Sequence, residues 1–417
     1  MIKGNPFLSD TFSGVWKKHF YTNGKVKKPE FLAPLTFAKH PSLPVWHNMG
    51  STLTKGIDYQ VNLGNRPNEI NDTYLIFDVP SYFNVEKSES NQIGFLSSKQ
   101  YPGYLIDLDT FTDFQQFMQK TFSKSSRYKL NKYKRRLEEC FDISYKMVWG
   151  DVEKKEYDEL FESFRNLLEK RFDDKEVYNN NLDATEWNFY KEVAYPLLLD
   201  KKAALYVIYD QNIPIGVTLN YFSKEIIFDA ITVFDIDYAK FHLGSVTIMK
   251  LIEWGLENNF KIFDFSKGHF EYKTRWATRT YDFEYHIYFN RKSIKSKLTA
   301  NSVKKFFDLK QNLREKNLNE RLHKLTYGLK NQKKDKPSTP GYTFIELENT
   351  VSTDNLDLIT LEKQENNYLK TIAFEFLYLN NECMKNLKIF KVEHNEMDYL
   401  FVGNLKQTGV QMSKQQA

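Results

Sequence analysis

Apolar residues along this chain switch between a period of two and a period of three to four, which marks out an alternation of strands and helices. From 31 to 108, short runs such as Tyr74-Leu75-Ile76-Phe77 and Tyr104-Leu105-Ile106 are punctuated by Val79-Pro80 and Pro102-Gly103, which predicts a sheet-rich region. Phe114, Phe117 and Met118, then Tyr128, Leu130, Tyr133 and Leu137, predict helix over 113–139. A second helix is expected over 154–171, with Tyr157, Leu160, Phe161 and Phe164 on one face, and a third over 187–199. Runs at 203–209, 213–221 and 226–233, separated by Asp210-Gln211-Asn212 and Ser223-Lys224, predict an antiparallel meander. A helix over 245–258 follows, with Ile248, Leu251, Ile252 and Gly255 on one side, where Gly255 would let it approach a sheet closely. Strands are expected at 261–265 and 283–289. Further on, Val303, Phe306, Phe307, Leu309 and Leu313 form a helical stripe, and strands are expected at 342–347, 372–379 and 399–402.

The 417 residues exceed what one core usually covers. The pattern predicts a sheet-rich N-terminal lobe (1–112), a second lobe (113–290), a basic helical segment (291–336) with linker composition from 333 to 340, and a C-terminal appendage (337–417) whose role the residues do not disclose. A net charge of +5 is too mild for the whole chain to read as a nucleic-acid binder. Local clusters differ. Lys124, Arg127, Lys129, Lys132, Lys134, Arg135 and Arg136 crowd one helix, and 291–336 holds 15 Lys and Arg against 4 Asp and Glu. The first cluster is either a solvated helix face or a rim for an anionic ligand, and the second reads as a docked amphipathic helix with a wet basic face. Cys140 and Cys383 are too few for a disulfide framework and lack zinc-ligand spacing, so a reducing compartment is expected and no metal. No apolar run approaches the ~18 residues of a membrane span, and the polar start 1–6 lacks a signal-peptide core, so a cytoplasmic location is expected.

Candidate chemistry concentrates between 226 and 273. A glycine at the head of a helix, in His242-Leu243-Gly244-Ser245, turns backbone N–H groups outward where the helix dipole is positive, which suits a pyrophosphate or carboxylate. The strand at 261–265 then delivers Asp264 and the loop Ser266-Lys267-Gly268-His269-Phe270-Glu271-Tyr272-Lys273. Asp264 either orients and deprotonates an amine or caps the following loop. Lys273 is either a functional group of this loop or an ordinary surface lysine. His269 is either a base or an exposed loop histidine, and Glu271 either competes with Asp264 or is solvated. Tyr272, Arg275 and Trp276 are expected near the mouth, with Arg275 facing an anionic acceptor and Trp276 in the core. No nucleophile elbow or cysteine site appears, so covalent catalysis is not expected.

These residues carry a resemblance. Tyr238-Ala239-Lys240 before His242-Leu243-Gly244-Ser245, Trp254-Gly255, Phe263-Asp264-Phe265, Gly268 and Tyr272-Lys273 with Trp276 resemble the GNAT-like acyltransferases associated with cellulose and exopolysaccharide synthesis (CelD type). That family is related to the FemAB peptidyltransferases. The basic helix at 122–137 is similar to one in the family, and the likeness is best over 113–290. The resemblance implies an α/β fold, a GNAT-like mixed sheet flanked by helices, often as two lobes. It implies acyl transfer to an amine of a sugar, peptide or envelope precursor, with acetyl-CoA or another acyl-CoA as donor. Lys240, His242, Gly244 and Ser245 would then form the pyrophosphate loop, although this loop holds one glycine where the family usually has several. FemAB-like relatives use aminoacyl-tRNA, which makes tRNA the alternative donor and partner, and their loop lysine corresponds to Lys273, positioned to stabilise a carbonyl oxygen. A third alternative is a catalytically silent module that binds an envelope-synthesis partner.

Overall fold

Two parallel pairings in an otherwise antiparallel sheet set the architecture, and one of them opens the candidate site. The computed structural model describes residues 1–62, 72–175, 180–316, 341–394 and 397–413. The main sheet contains β1 (Val26–Lys27), β2 (Phe37–Lys39), β3 (Trp46–Asn48), β4 (Tyr74–Pro80), β5 (Ile93–Asp107), β6 (Ile143–Val148), β7 (Ala203–Asp210), β8 (Ile213–Phe222), β9 (Ile226–Phe234), β10 (Ile262–Lys267) and β11 (Arg279–Asn290). Their order is β1-β2-β3-β4-β11-β5-β10-β9-β8-β7-β6. Strands from the expected N-terminal lobe therefore interleave with later ones, since β5 lies between β10 and β11 and pairs antiparallel with both. A second, five-stranded antiparallel sheet joins β12 (Tyr342–Ile345), β13 (Asp357–Ile359), β14 (Lys388–His394), β15 (Met397–Val402) and β16 (Gln407–Met412).

Among the described residues the α-helices are α1 (Asp10–Phe20), α2 (Phe114–Thr121), α3 (Lys124–Cys140), α4 (Lys154–Lys175), α5 (Ala184–Leu199), α6 (Leu243–Glu257), α7 (Glu271–Trp276), α8 (Ile294–Glu315) and α9 (Asn367–Asn380). One apolar core gathers α1, α4 and α5 against β7, β8 and β9 through Phe12, Phe161, Phe189 and Leu219. A second gathers α2, α3 and α6 on the opposite face. Strands covered on both faces read as nearly continuous apolar runs, and β7 to β9 do so. Gly255 allows the expected close approach, because a Cβ there would lie 2.9 Å from Ile227 Cδ1. Arg127 donates to the Phe122 carbonyl at the end of α2, which joins α2 to the basic helix α3.

Residues 372–379, expected as a strand, belong to α9. Their aromatic and β-branched content suggested extension, but Leu369, Ile372, Ala373, Phe376 and Leu377 are buried at three-to-four spacing, the helical period. This helix docks on the second core. Phe374 packs on Phe141 and Tyr238, and Tyr378 packs on Phe241. Of the basic segment expected at 291–336, α8 is described, whereas 317–336 and the linker at 333–340 lie outside the described residues.

Candidate functional site

The site grows from a divergence. Strands β9 and β10 run parallel through Ile226–Ile262, Ile227–Phe263 and Phe228–Asp264, and their pairing ends there. On the β10 side, Asp264 is 0% exposed. Its carboxylate accepts from Tyr281 Oη (2.7 and 2.8 Å to its two oxygens), Tyr82 Oη (2.8 Å) and the Ser266 amide (2.7 Å). Burial raises its pKa to about 6, against the opposing effect of these donors. Expected to orient or deprotonate an amine, Asp264 is here the anchor of the turn that follows, where Ser266 takes φ +61°.

Lys273 folds back beneath that turn. It is 5% exposed, and its ammonium donates to the carbonyls of Phe265 (2.7 Å), Ser266 (3.4 Å) and Lys267 (2.9 Å). Burial lowers its pKa to about 8, while Asp229 and Asp264 hold it up. The neighbouring Lys267 crosses to the N-terminal strands, donating to Asp78 (2.8 Å) and to the Thr52 carbonyl (2.8 Å). Asp78 is fully buried at φ +59° and also accepts from Thr54. A buried ion pair between elements this far apart in sequence fixes one half of the sheet against the other.

The β9 side holds the groups that sequence reasoning missed. Asp229 lies one residue beyond the last parallel pair and is 8% exposed, with Thr232 Oγ1 as its hydrogen-bond donor at 2.8 Å. Burial raises its pKa, against the attraction of Lys273 and Lys55. Half-buried Lys55 reaches this cluster from the N-terminal segment, and its ammonium has no hydrogen-bond partner among the described residues. Its pKa falls to about 8, first through burial and then through Lys267 and Lys273, with Asp78 and Asp229 opposing. Glu186 on α5 feels Lys55 and Lys267 and is raised chiefly by burial. Only the polarity of Asp229 within an otherwise apolar strand could have drawn attention to it.

The start of α6 closes the other end. His242 takes the left-handed conformation (φ +51°), and its carbonyl accepts from the Ser245 and Val246 amides. That leaves the Leu243 and Gly244 amides at the open end of the helix. Gly244 is needed for packing, because a Cβ would lie 2.7 Å from Phe234 Cε1. The Arg171 guanidinium covers the Phe234 ring at 4.1 Å and lies within electrostatic range of Tyr272, which in turn senses Asp229. One ring contact and two electrostatic couplings thus relate the Gly244 turn to the Lys273 loop. His242 stacks on Tyr133 of α3, with ring centroids 3.9 Å apart, and its pKa is lowered by burial and then by Arg275 and Lys240. Lys240, expected on the pyrophosphate loop, is drawn outward to Glu375 of α9, which also accepts from Tyr342. His269 is exposed and bonded to Tyr104 Oη at 2.6 Å, Glu271 is exposed, and Arg275 is exposed beside Phe122. Trp276 is core, packed on Phe117 and Phe122. Among the described residues, no His, Cys, Asp and Glu group is placed to hold a metal ion, and no helix is long and apolar enough to cross a membrane.

A family model described as an acetyltransferase (GNAT) domain matches residues 124–274, so the turn before α6 and the Asp264–Lys273 loop both fall inside it. The fold is GNAT-like: a mixed sheet flanked by helices. Among similar solved structures, FemX is 11% identical, with 68% of this chain and 92% of that chain covered and a TM-score of 0.46. L-PGS from Bacillus licheniformis is 13% identical, with 74% and 98% covered and a TM-score of 0.41. A tandem GNAT protein from the clavulanic acid biosynthesis pathway is 9% identical, with 60% and 77% covered and a TM-score of 0.31. No curated protein matches the chain.

Proposed function

We propose that this protein is an N-acyltransferase that moves an acyl group from an acyl-CoA onto an amine of a sugar, peptide or envelope precursor, in the gap between β9 and β10. The observation that carries this reading is the end of the β9–β10 pairing at Phe228–Asp264, next to the Asp229–Lys55–Lys273 cluster, in a sheet whose β9 leads on to the open amides of α6. The donor set at the helix start, two backbone amides with Arg171, Arg275 and His242 nearby, has the chemistry a pyrophosphate needs. When bound, the donor supplies a carbonyl already activated as a thioester.

The chain's own residues then divide the work. Asp229 receives the proton that the amine nitrogen sheds on attack and can pass it to the CoA thiolate released as the C–S bond breaks, and burial makes it a stronger base than a surface aspartate. Lys55 brings its unengaged ammonium to the carbonyl oxygen as negative charge develops, a contribution of ~3 kcal/mol where such groups are preorganised. Lys273 and Asp264 are positioning residues that hold the turn after β10, and the charge of Lys273 supports the ionised form of Asp229. The test is acyl transfer from acetyl-CoA to a panel of amines, with calorimetry for the donor. Absence of donor binding at millimolar concentration overturns the acyl-CoA assignment.

A second reading, transfer from aminoacyl-tRNA, is favoured by the position of α3, whose Tyr133 touches His242 and whose Lys124 and Lys129 are exposed. Its signature is retention of charged tRNA that weakens steeply with salt.

A further inference from the structure

Helix α8 buries one face and leaves an unusual one outside. Ser296, Ala300, Val303, Phe307 and Gln311 are buried, and Val303 and Phe307 pack with Phe77, Tyr285 and Ile287 of β4 and β11. On the opposite side Ile294, Leu298, Phe306, Leu309 and Leu313 stand 42% to 78% exposed. At 100° per residue these five fall within one stripe, and Lys295, Lys305 and Lys316 fall in or beside it, with Lys310 on its flank. All four lysines are exposed. The acidic residues of the helix lie toward the other flank and are engaged: Asp308 with Ser98 and Lys304, and Glu315 with Gln311. Leu43 and Pro44 extend the apolar surface as a shallow groove beside Ile294 and Leu298.

We propose that this face docks the protein on an anionic lipid bilayer, with α8 lying in the interfacial plane. An apolar stripe with interleaved lysines and no acidic residue on the same face matches the two layers of such a surface, acyl chains below and phosphate headgroups around. The stripe spans ~28 Å of helix, enough to lie along the surface rather than to cross it. Charge decides against the other occupants. A second copy would set lysines against lysines. Nucleic acid would satisfy the lysines but leave five apolar side chains against phosphate and sugar.

The experiment is flotation of the full-length protein with phosphatidylcholine vesicles and with mixed phosphatidylcholine–phosphatidylglycerol vesicles. Binding is expected to be at least ~10-fold tighter on the anionic vesicles and to weaken as salt rises. Replacing Lys295, Lys305 and Lys310 together by Gln should reduce it ~100-fold. The Leu298→Gln/Leu309→Gln variant should lose binding while its melting temperature stays unchanged, because both side chains are exposed. Equal affinity for the two vesicle types, or no binding to either, overturns the proposal. So does self-association without lipid that Leu298→Gln abolishes, or retention of RNA by a protein that does not float. Loss of acyl transfer in solution leaves the inference standing, because flotation does not read the β9–β10 site.

Discussion

The two flanks of the β9–β10 gap each bury an aspartate, and their surroundings differ in kind. Asp264 is enclosed by two tyrosine hydroxyls and a backbone amide, so its oxygens are occupied and its charge is shared among neutral donors. Asp229, adjacent in register across the gap, has one hydroxyl donor and feels the ammonium groups of Lys55 and Lys273. Three donors at the oxygens of Asp264 stand between it and a substrate amine, so what it lacks is open access rather than basicity. Asp229, balanced mainly by distant cations, keeps lone pairs open. Burial alone therefore does not separate a structural aspartate from a reactive one, whereas the count and kind of its donors does.

The sharpest way to break this comparison is to neutralise each side in turn. Asp229→Asn should lower kcat/KM by ~10²–10⁴-fold with little change in urea midpoint. Equal activity in that variant removes Asp229 as the proton acceptor. Asp264→Ala strands three buried donors, and a stability loss of about 3 kcal/mol or more is expected by denaturant titration. Activity lost at full stability would instead move the chemistry to Asp264. Linkage gives a second handle. The folded pKa of Asp264 is raised to about 6, so its contribution is fully present below its unfolded value near 3.8 and is lost as pH rises through 6, a change of up to ~3 kcal/mol. Asp264→Asn should flatten that part of the stability curve.

Across the gap, Lys55 and Lys273 lose their charge above about pH 8, so the rate should fall there. Lys55→Arg should shift that alkaline limb upward, measured as kcat/KM against pH. Gly244→Ala should cost ~1–3 kcal/mol by pressing on Phe234 and should raise the donor KM more than it lowers kcat. The smallest effect expected is at Lys240. Its ammonium belongs to Glu375, so Lys240→Ala should change the donor KM less than ~3-fold.

Much of this was legible along the chain. The meander, the α6 helix with Gly255 facing the sheet, and the strand carrying Asp264 follow from local period and turn chemistry, which need no distant partner. Asp229 was hidden inside a run of apolar strand residues with no motif around it. Lys55 was invisible for a different reason: it comes within electrostatic range of Asp229 only because the fold brings the N-terminal segment across. The tie between Lys240 and Glu375 depends on α9, which was itself obscured because Phe374, Phe376 and Tyr378 favour strands as single residues while the burial of that segment follows a helix.

The placement of β5 has a consequence for how the protein is made. Its partners, β10 and β11, are encoded more than 150 residues later, so one edge of this long strand stays bare until synthesis has passed residue 267 and the other until it has passed 290. A fragment cut at 112 would strand β5 in one piece and its neighbours in the other, and each would carry an open hydrogen-bonding edge prone to joining the wrong chain.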